Sequence, residues 1–404
     1  MSSIKNKIWW ISLVSFFWST SSMMVGSILP IYLTEQLKIG YVKLGYLEGI
    51  AIGCAFFSKV FAGILSDKLK KRKILILAGS MGSVVTKMML ALASSYYMVF
   101  LTRFIDRLAK GIRSAPTDAL IADLNQERLN YAFGCRQAIY ILGAVFGALL
   151  AVILMLLIGN NYRLIFYASV LPALLAVLIL IFCVQDPDFK TIQQVNFKRL
   201  LVSINDFKNF SWYYWFILVV TFFLMIARFS ESFLTLRVKA VGWPILWLPA
   251  IIIISDITHS IIAFITRSFS GKDNAEKLLL LGLAILIVSN IIWLHAYDNF
   301  KIILGIISIG MHLGITQGTL RTLIAISSAK LNSNVNGTAF ALFYLVSGCG
   351  VFIGNLLAGS LAEKYNLATI FIGGMVAAGV ALSLLLLLVI IKIYWPKIYD
   401  AALK

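Results

Sequence analysis

Residues 132–158 read AFGCRQAIYILGAVFGALLAVILMLLI, with Arg136 as the only formally charged side chain in the run. A helix of roughly 20 apolar residues crosses the hydrocarbon core of a bilayer. In lipid, only helices and closed barrels pair every backbone N–H and C=O internally. The run therefore reads as a transmembrane helix, and similar runs follow one another almost end to end along the chain. Of the 404 residues 60% are hydrophobic and 13% charged, with a mean hydropathy of +0.92. A soluble globular chain is nearer half apolar and about a quarter charged. The expectation is an all-α membrane protein.

Twelve spans account for the pattern: 8–33, 44–66, 74–96, 98–122, 132–158, 163–184, 212–236, 246–266, 277–297, 301–325, 335–360 and 367–391. The first follows Lys5 and Lys7, as a signal peptide would, but its apolar stretch is too long for one. With the N-terminus inside, 19 of the 35 Lys and Arg residues fall in cytoplasmic segments and 7 in periplasmic ones. The positive-inside rule then places both termini in the cytoplasm, as for a multi-pass protein of the inner (cytoplasmic) membrane.

The longest polar stretch, 185–211, separates an N-terminal six-helix bundle (1–184) from a C-terminal one (212–404). The halves resemble each other. A shift of 203 residues places Gly79 on Gly282, Gly111 on Gly314, and Leu120, Ile121 and Ala122 on Leu323, Ile324 and Ala325. A shift of 207 then aligns Gly143 and Gly147 with Gly350 and Gly354. Two six-helix pseudo-repeats follow, a plan that transporters use.

The net charge of +18 comes from bases scattered between apolar runs, not gathered on one face with interleaved aromatics. No nucleic-acid partner is expected. Cys54, Cys135, Cys183 and Cys349 all sit in apolar runs, without disulfide or metal-ligand spacing. His259, His295 and His312 fall on different spans, and no phosphate-cradling loop, nucleophile elbow or His-Glu-x-x-His motif occurs. No metal, cofactor or catalytic residue is expected.

Between the second and third spans, Gly63 to Lys73 reads GILSDKLKKRK. It resembles the signature loop of the major facilitator superfamily, Gly-x-Leu-x-Asp-Arg-x-Gly-Arg-Arg, with Lys70 where the second glycine belongs. The plainer alternative is an ordinary basic cytoplasmic loop. The fourth span, Arg103 to Asp123, reads RFIDRLAKGIRSAPTDALIAD. Its Arg107, Gly111 and Ala115 resemble the superfamily's fourth-helix pattern, and the Asp106–Arg113 segment resembles one bacterial branch, from which Ala109 and Thr117 depart. The Ser230–Leu234 and Gly337–Phe340 segments, with Ser347 and Gly348, resemble the same branch. The resemblance implies the major facilitator fold and substrate reached by alternating access. It also implies a gating role for Gly63, Asp67, Lys71 and Arg72. The second repeat has Ser270 where the loop acid would stand, and Ala148 replaces the proline of the antiporter motif. Gly143 and Gly147 then read as a small-residue packing face.

Charges at bilayer depth cost about 2.5–3.5 kcal/mol each on insertion scales, so those inside spans are the functional candidates. The bases are Lys59, Lys87, Arg103, Arg107, Lys110, Arg113, Arg136, Arg228 and Arg321; the acids are Glu48, Asp106, Asp118, Glu231 and Asp256. Arg103, Arg107 and Lys110 share one helix face by spacing, and Asp106 can reach Arg103 or Lys110. An internal ion pair is the plainer reading of Asp106 with one base. The resemblance puts the fourth helix beside the substrate path, where Arg103, Arg107, Lys110, Arg228 and Trp18 are the candidate substrate contacts. Arginine binds carboxylates and phosphates bidentately. Asp106, Glu231 and His312 are the candidate coupling residues, although a lone histidine between glycines also reads as a hydrogen-bonded helix contact. Excess positive charge inside the spans favours a small anionic or zwitterionic solute. The expected protein is a monomeric, proton-coupled secondary active transporter. A membrane-embedded enzyme, a non-transporting sensor and an exporter of drug-like or siderophore-like compounds are the alternatives.

Overall fold

A computed structural model of the chain describes residues 2–69, 72–124, 129–159, 161–184, 210–267, 274–328 and 336–394. Most of the 185–211 linker, Lys71, Ser270 and the Asp67 side chain lie outside the described residues. In the first half the helices are α1 (Ser2–Gly26), α2 (Tyr41–Leu69), α3 (Arg72–Leu92), α4 (Tyr96–Leu124), α5 (Leu129–Ile158) and α6. Helix α6 runs over Tyr162–Ala168 and Val170–Cys183. In the second half they are α7, α8 (Pro249–Arg267), α9 (Ala275–Leu294), α10 (Asn299–Ser328), α11 (Asn336–Lys364) and α12 (Ile370–Tyr394). Helix α7 comes in two pieces, Trp212–Ala227 and Glu231–Ala240.

Among the described residues, 11 helices are long and apolar enough to cross a membrane. The twelfth, α4, is excluded only by its charges: its 29 residues reach about 43 Å at 1.5 Å each. Arg103 and Arg113 are turned into the protein, 6% and 5% exposed.

Contacts divide the chain into two compact units, Met1–Val195 with Val238–Ile253 and Asn196–Arg237 with Ile254–Lys404. In the first, α1 packs on α5 and α6, α4 on α2 and α3, and α3 on α6. In the second, α7 packs on α11 and α12, and α9 on α10 and α12. The repeat expected from the glycines is thus present in the packing.

The glycines themselves show why. A Cβ at Gly143 would overlap the carbonyl oxygen of Phe16, and one at Gly147 that of Thr20; at Gly354 it would strike the carbonyl of Ile226. The bare face of α5 lets Thr20 Oγ1 donate to the Gly143 carbonyl at 3.0 Å. Gly79 likewise admits the α4 backbone at Ala109 and Arg113, as Gly282 admits Ile315 and Thr316 of α10. Gly111 meets Ser58 of α2, and Gly314 meets His259 and Ile262 of α8.

One polar contact differs between the halves. At the start of α3, Lys73 Nζ donates to the carbonyl of Ile181, at the end of α6, at 2.7 Å. The residue 203 positions on is Glu276, whose carboxylate accepts from Tyr213 Oη and Lys392 Nζ, both at 2.8 Å. This buried acid ties α7, α9 and α12 together, in the half whose loop lacks the signature acid.

Candidate substrate site

The charges of α4 sort into satisfied and unsatisfied groups. Arg103 Nη2 lies 3.6 Å from Glu48 Oε1 on α2, with both side chains buried. Asp106 Oδ1 lies 3.8 Å from Lys87 Nζ on α3 and accepts from Thr86 Oγ1 at 3.3 Å. The sequence spacing pointed Asp106 to Arg103 or Lys110, but it turns across to α3. Lys87 is 5% exposed, and a buried ammonium without a counter-charge is destabilising by several kcal/mol. Asp106 therefore compensates this buried base, and Arg103 takes Glu48.

Arg113 Nη1 donates to Ser83 Oγ, and its guanidinium lies 4.9 Å from the centroid of the Trp18 ring. Arg136 pairs with Asp118 and donates from Nε to Ser15 Oγ at 3.2 Å. That leaves Arg107 and Lys110. Among the described residues neither has a carboxylate within ion-pair distance, and Arg107 Nε is buried without a hydrogen-bond partner. The position of this face is fixed by Gly111, which lets α2 come close enough for Ser58 Oγ to donate to the Leu108 carbonyl at 2.7 Å.

In the second unit, α7 stops at Ala227 and restarts at Glu231, with Arg228 as the C-cap residue of the first piece. Asn355 of α11, fully buried, accepts from the Ser230 N–H at 2.8 Å and donates to the Val351 carbonyl at 2.8 Å. Ser230 Oγ accepts from the Ser232 N–H at 3.2 Å and so caps the second piece. Glu231 is exposed on the first turn of that piece, the positive end of its dipole. Broken helices of this kind are tolerated at membrane depth when neighbouring groups take up the freed backbone. Sequence reasoning missed the break; its only trace is the polar pair Ser230–Glu231 after Arg228 in mid-span.

His312 is buried in α10, and its Nδ1 lies 2.7 Å from the Gly282 carbonyl of α9. A carbonyl only accepts, so Nδ1 carries the hydrogen, and in the neutral ring Nε2 keeps a bare lone pair. Nε2 has no partner among the described residues. Of the gating residues, Gly63 packs near Ala115 of α4, and Arg72 opens α3, half-buried.

Twelve membrane-crossing helices in two repeats, with a cationic face on the fourth, define a polytopic membrane carrier. Residues 11–354 match the Major Facilitator Superfamily, and the chain belongs to that family of transporters. It is 25% identical over 386 residues to the uncharacterized MFS-type transporter MJ1317 of Methanocaldococcus jannaschii, covering 93% of each chain. It is 25% identical over 383 residues to the quinolone resistance protein NorA of Staphylococcus aureus, covering 90% of this chain and 92% of that one. In fold it is similar to the crystal structure of the nucleoside transporter NupG, with a TM-score of 0.72 at 16% identity over 96% of this chain and 98% of that one. The chain is a multi-pass membrane protein that carries a small-molecule substrate.

Proposed function

We propose that the chain moves a small anionic or zwitterionic solute across the inner membrane by alternating access, coupled to a proton gradient. The observation that carries this reading is the surplus of cations on α4, Arg107 and Lys110 foremost. Arg103 and Lys87 each have an acid, whereas Arg107 and Lys110 have none among the described residues. A cation without a protein counter-charge is met most easily by a substrate carboxylate or phosphate. By this reading Trp18 and Arg103 are substrate contacts on the first unit, and Arg228 is a candidate contact on the second. The two bundles, 1–184 and 212–404, move about the linker, gated at Gly63, Asp67, Lys71 and Arg72, and both termini are cytoplasmic. Coupling is assigned to Asp106, Glu231 and His312, of which His312 has the bare ring nitrogen that a proton needs. The chain works as a monomer and catalyses no covalent chemistry.

The test is flux in proteoliposomes under an imposed pH gradient. Labelled organic acids should move faster than in empty vesicles, and collapse of the gradient should slow them. Flux of organic cations but not of acids would overturn the anionic reading.

Export of drug-like compounds is a second reading, favoured by the likeness to the quinolone resistance protein over nine-tenths of this chain. Everted membrane vesicles separate the two: drug uptake driven by acidification of the lumen supports export.

A further inference from the structure

Within the first unit a recess opens among α1, α4 and α5, lined by three basic side chains, Lys110, Arg113 and Arg136, and by four hydroxyl groups. Its volume is about 60 Å³, more than one ordered water needs and too little for a ring system. Among the described residues the three bases share a single carboxylate, that of Asp118, which pairs with Arg136. With Lys110 as an ammonium, two positive charges are left without a counter-charge, and an anion in the recess in turn favours the ammonium form. Asp106 does not offset them, because Lys87 takes it, and Arg107 adds to the positive field at Lys110. Donors are in surplus as well. Arg113 engages only Nη1, on Ser83, and Arg136 only Nε and Nη1, on Ser15 and Asp118. Their other guanidinium N–H groups, and Lys110 Nζ, have no acceptor among the described residues. The Ser15 and Ser114 hydroxyls donate to carbonyls of their own helices, at Ile11 and Gly111. Those of Ser22 and Tyr140 make no hydrogen bond among the described residues.

We propose that this recess seats the head group of a phosphate monoester. Near neutral pH such a group carries a charge of about −1.5 to −2 on three acceptor oxygens, which matches two unbalanced cations and a surplus of donors. A carboxylate brings one charge on two oxygens and leaves a cation unmatched. The phosphate oxygens accept from Lys110 Nζ, from the free N–H groups of Arg113 and Arg136, and from the hydroxyls of Ser22 and Tyr140. The recess has room for the head group alone, so the esterified part of the solute lies outside it. This rests on the anion reading above and narrows it from carboxylate or phosphate to one head group.

Calorimetric titration of the purified full-length protein in detergent, above the second phosphate pKa of about 6, tests the inference with methyl phosphate, methyl sulfate, acetate and methylammonium. Methyl sulfate has the shape of methyl phosphate and one charge fewer. The expected result is saturable methyl phosphate binding, at least tenfold tighter than that of any other probe. Lys110→Gln and Tyr140→Phe should each weaken it about threefold or more, and Lys110→Arg should restore most of the affinity. Thermal unfolding without ligand reports whether a variant is folded; if one is not, the other decides. Methyl sulfate or acetate binding as tightly as methyl phosphate would sink the match to a dianion and leave the anion reading standing. Tight methyl phosphate binding that both substitutions leave unchanged would place its site elsewhere and overturn the recess. Tighter binding of methylammonium would sink both readings. Absence of methyl phosphate binding to the wild type overturns the recess alone, because proteoliposome flux of carboxylates judges the transport reading separately.

Discussion

His312 Nδ1 reaches the carbonyl oxygen of Gly282 at 2.7 Å, a contact between α10 and α9 that exists because position 282 has no side chain. A Cβ there would overlap Cγ2 of Thr316. Thr316 cannot easily swing aside, since its hydroxyl donates to the His312 carbonyl at 2.7 Å. Crossing distance, histidine tautomer and threonine rotamer are thus one arrangement.

Gly282→Ala should therefore lower stability by about 1–3 kcal/mol, the usual range for overpacking. Adding Thr316→Ser removes the offending methyl group and keeps the hydroxyl, so the double variant should recover most of the loss. Thermal unfolding of the purified protein measures both. No recovery in the double variant would mean that the clash is not with Thr316.

Lys87 and Asp106 form a buried pair across α3 and α4. Removing one partner strands the other, which typically costs about 3–5 kcal/mol, while replacing both by apolar residues is often near neutral. Lys87→Met should thus destabilise strongly, and Lys87→Met with Asp106→Leu much less. Additive losses in a double-mutant cycle would show that the two charges do not compensate each other.

Asn355→Ala should leave the buried Ser230 N–H without its acceptor, at about 1–3 kcal/mol. The effect belongs at the α7 break, so hydrogen exchange should quicken at Ser230 and the first turn of the Glu231–Ala240 piece before it quickens elsewhere. Uniform loss of protection along α7 would instead make Asn355 a general packing residue.

These cases show which parts of the molecule the sequence displays. The repeat was legible because close helix crossings demand glycine, and Gly79, Gly143 and Gly147 recur as Gly282, Gly350 and Gly354. The charged character of α4 was legible for a similar reason: ionised side chains in an apolar run stand out. Their partners were not. Spacing along α4 offered Asp106 two bases on its own helix, whereas helix rotation turned it to Lys87, on a different helix. The break in α7 was hidden as well, because Arg228, Phe229 and Ser230 include no proline or glycine, and the group that stabilises it lies 125 residues away. Glu276 falls one residue outside the expected 277–297 span, and only the fold brings Tyr213 and Lys392 to it.

Arg107 and Lys110 are two cations of α4 with no carboxylate within ion-pair distance among the described residues, and they can be told apart. Arg107→Lys keeps the charge and removes the planar fork. The Asp106–Lys87 pair does not depend on Arg107, so the variant should fold with a melting temperature near that of the wild type. If the guanidinium grips the substrate carboxylate with both nitrogens, affinity should fall about tenfold or more, the equivalent of roughly 1.4 kcal/mol. Maximal flux should change less, because the charge that draws the anion is retained. Unchanged affinity in calorimetric titration would remove Arg107 from the site and leave recognition to Lys110 and Trp18. A fall in melting temperature together with affinity would instead make Arg107 part of the helix packing, with its buried Nε met by neighbouring backbone as the bundles move.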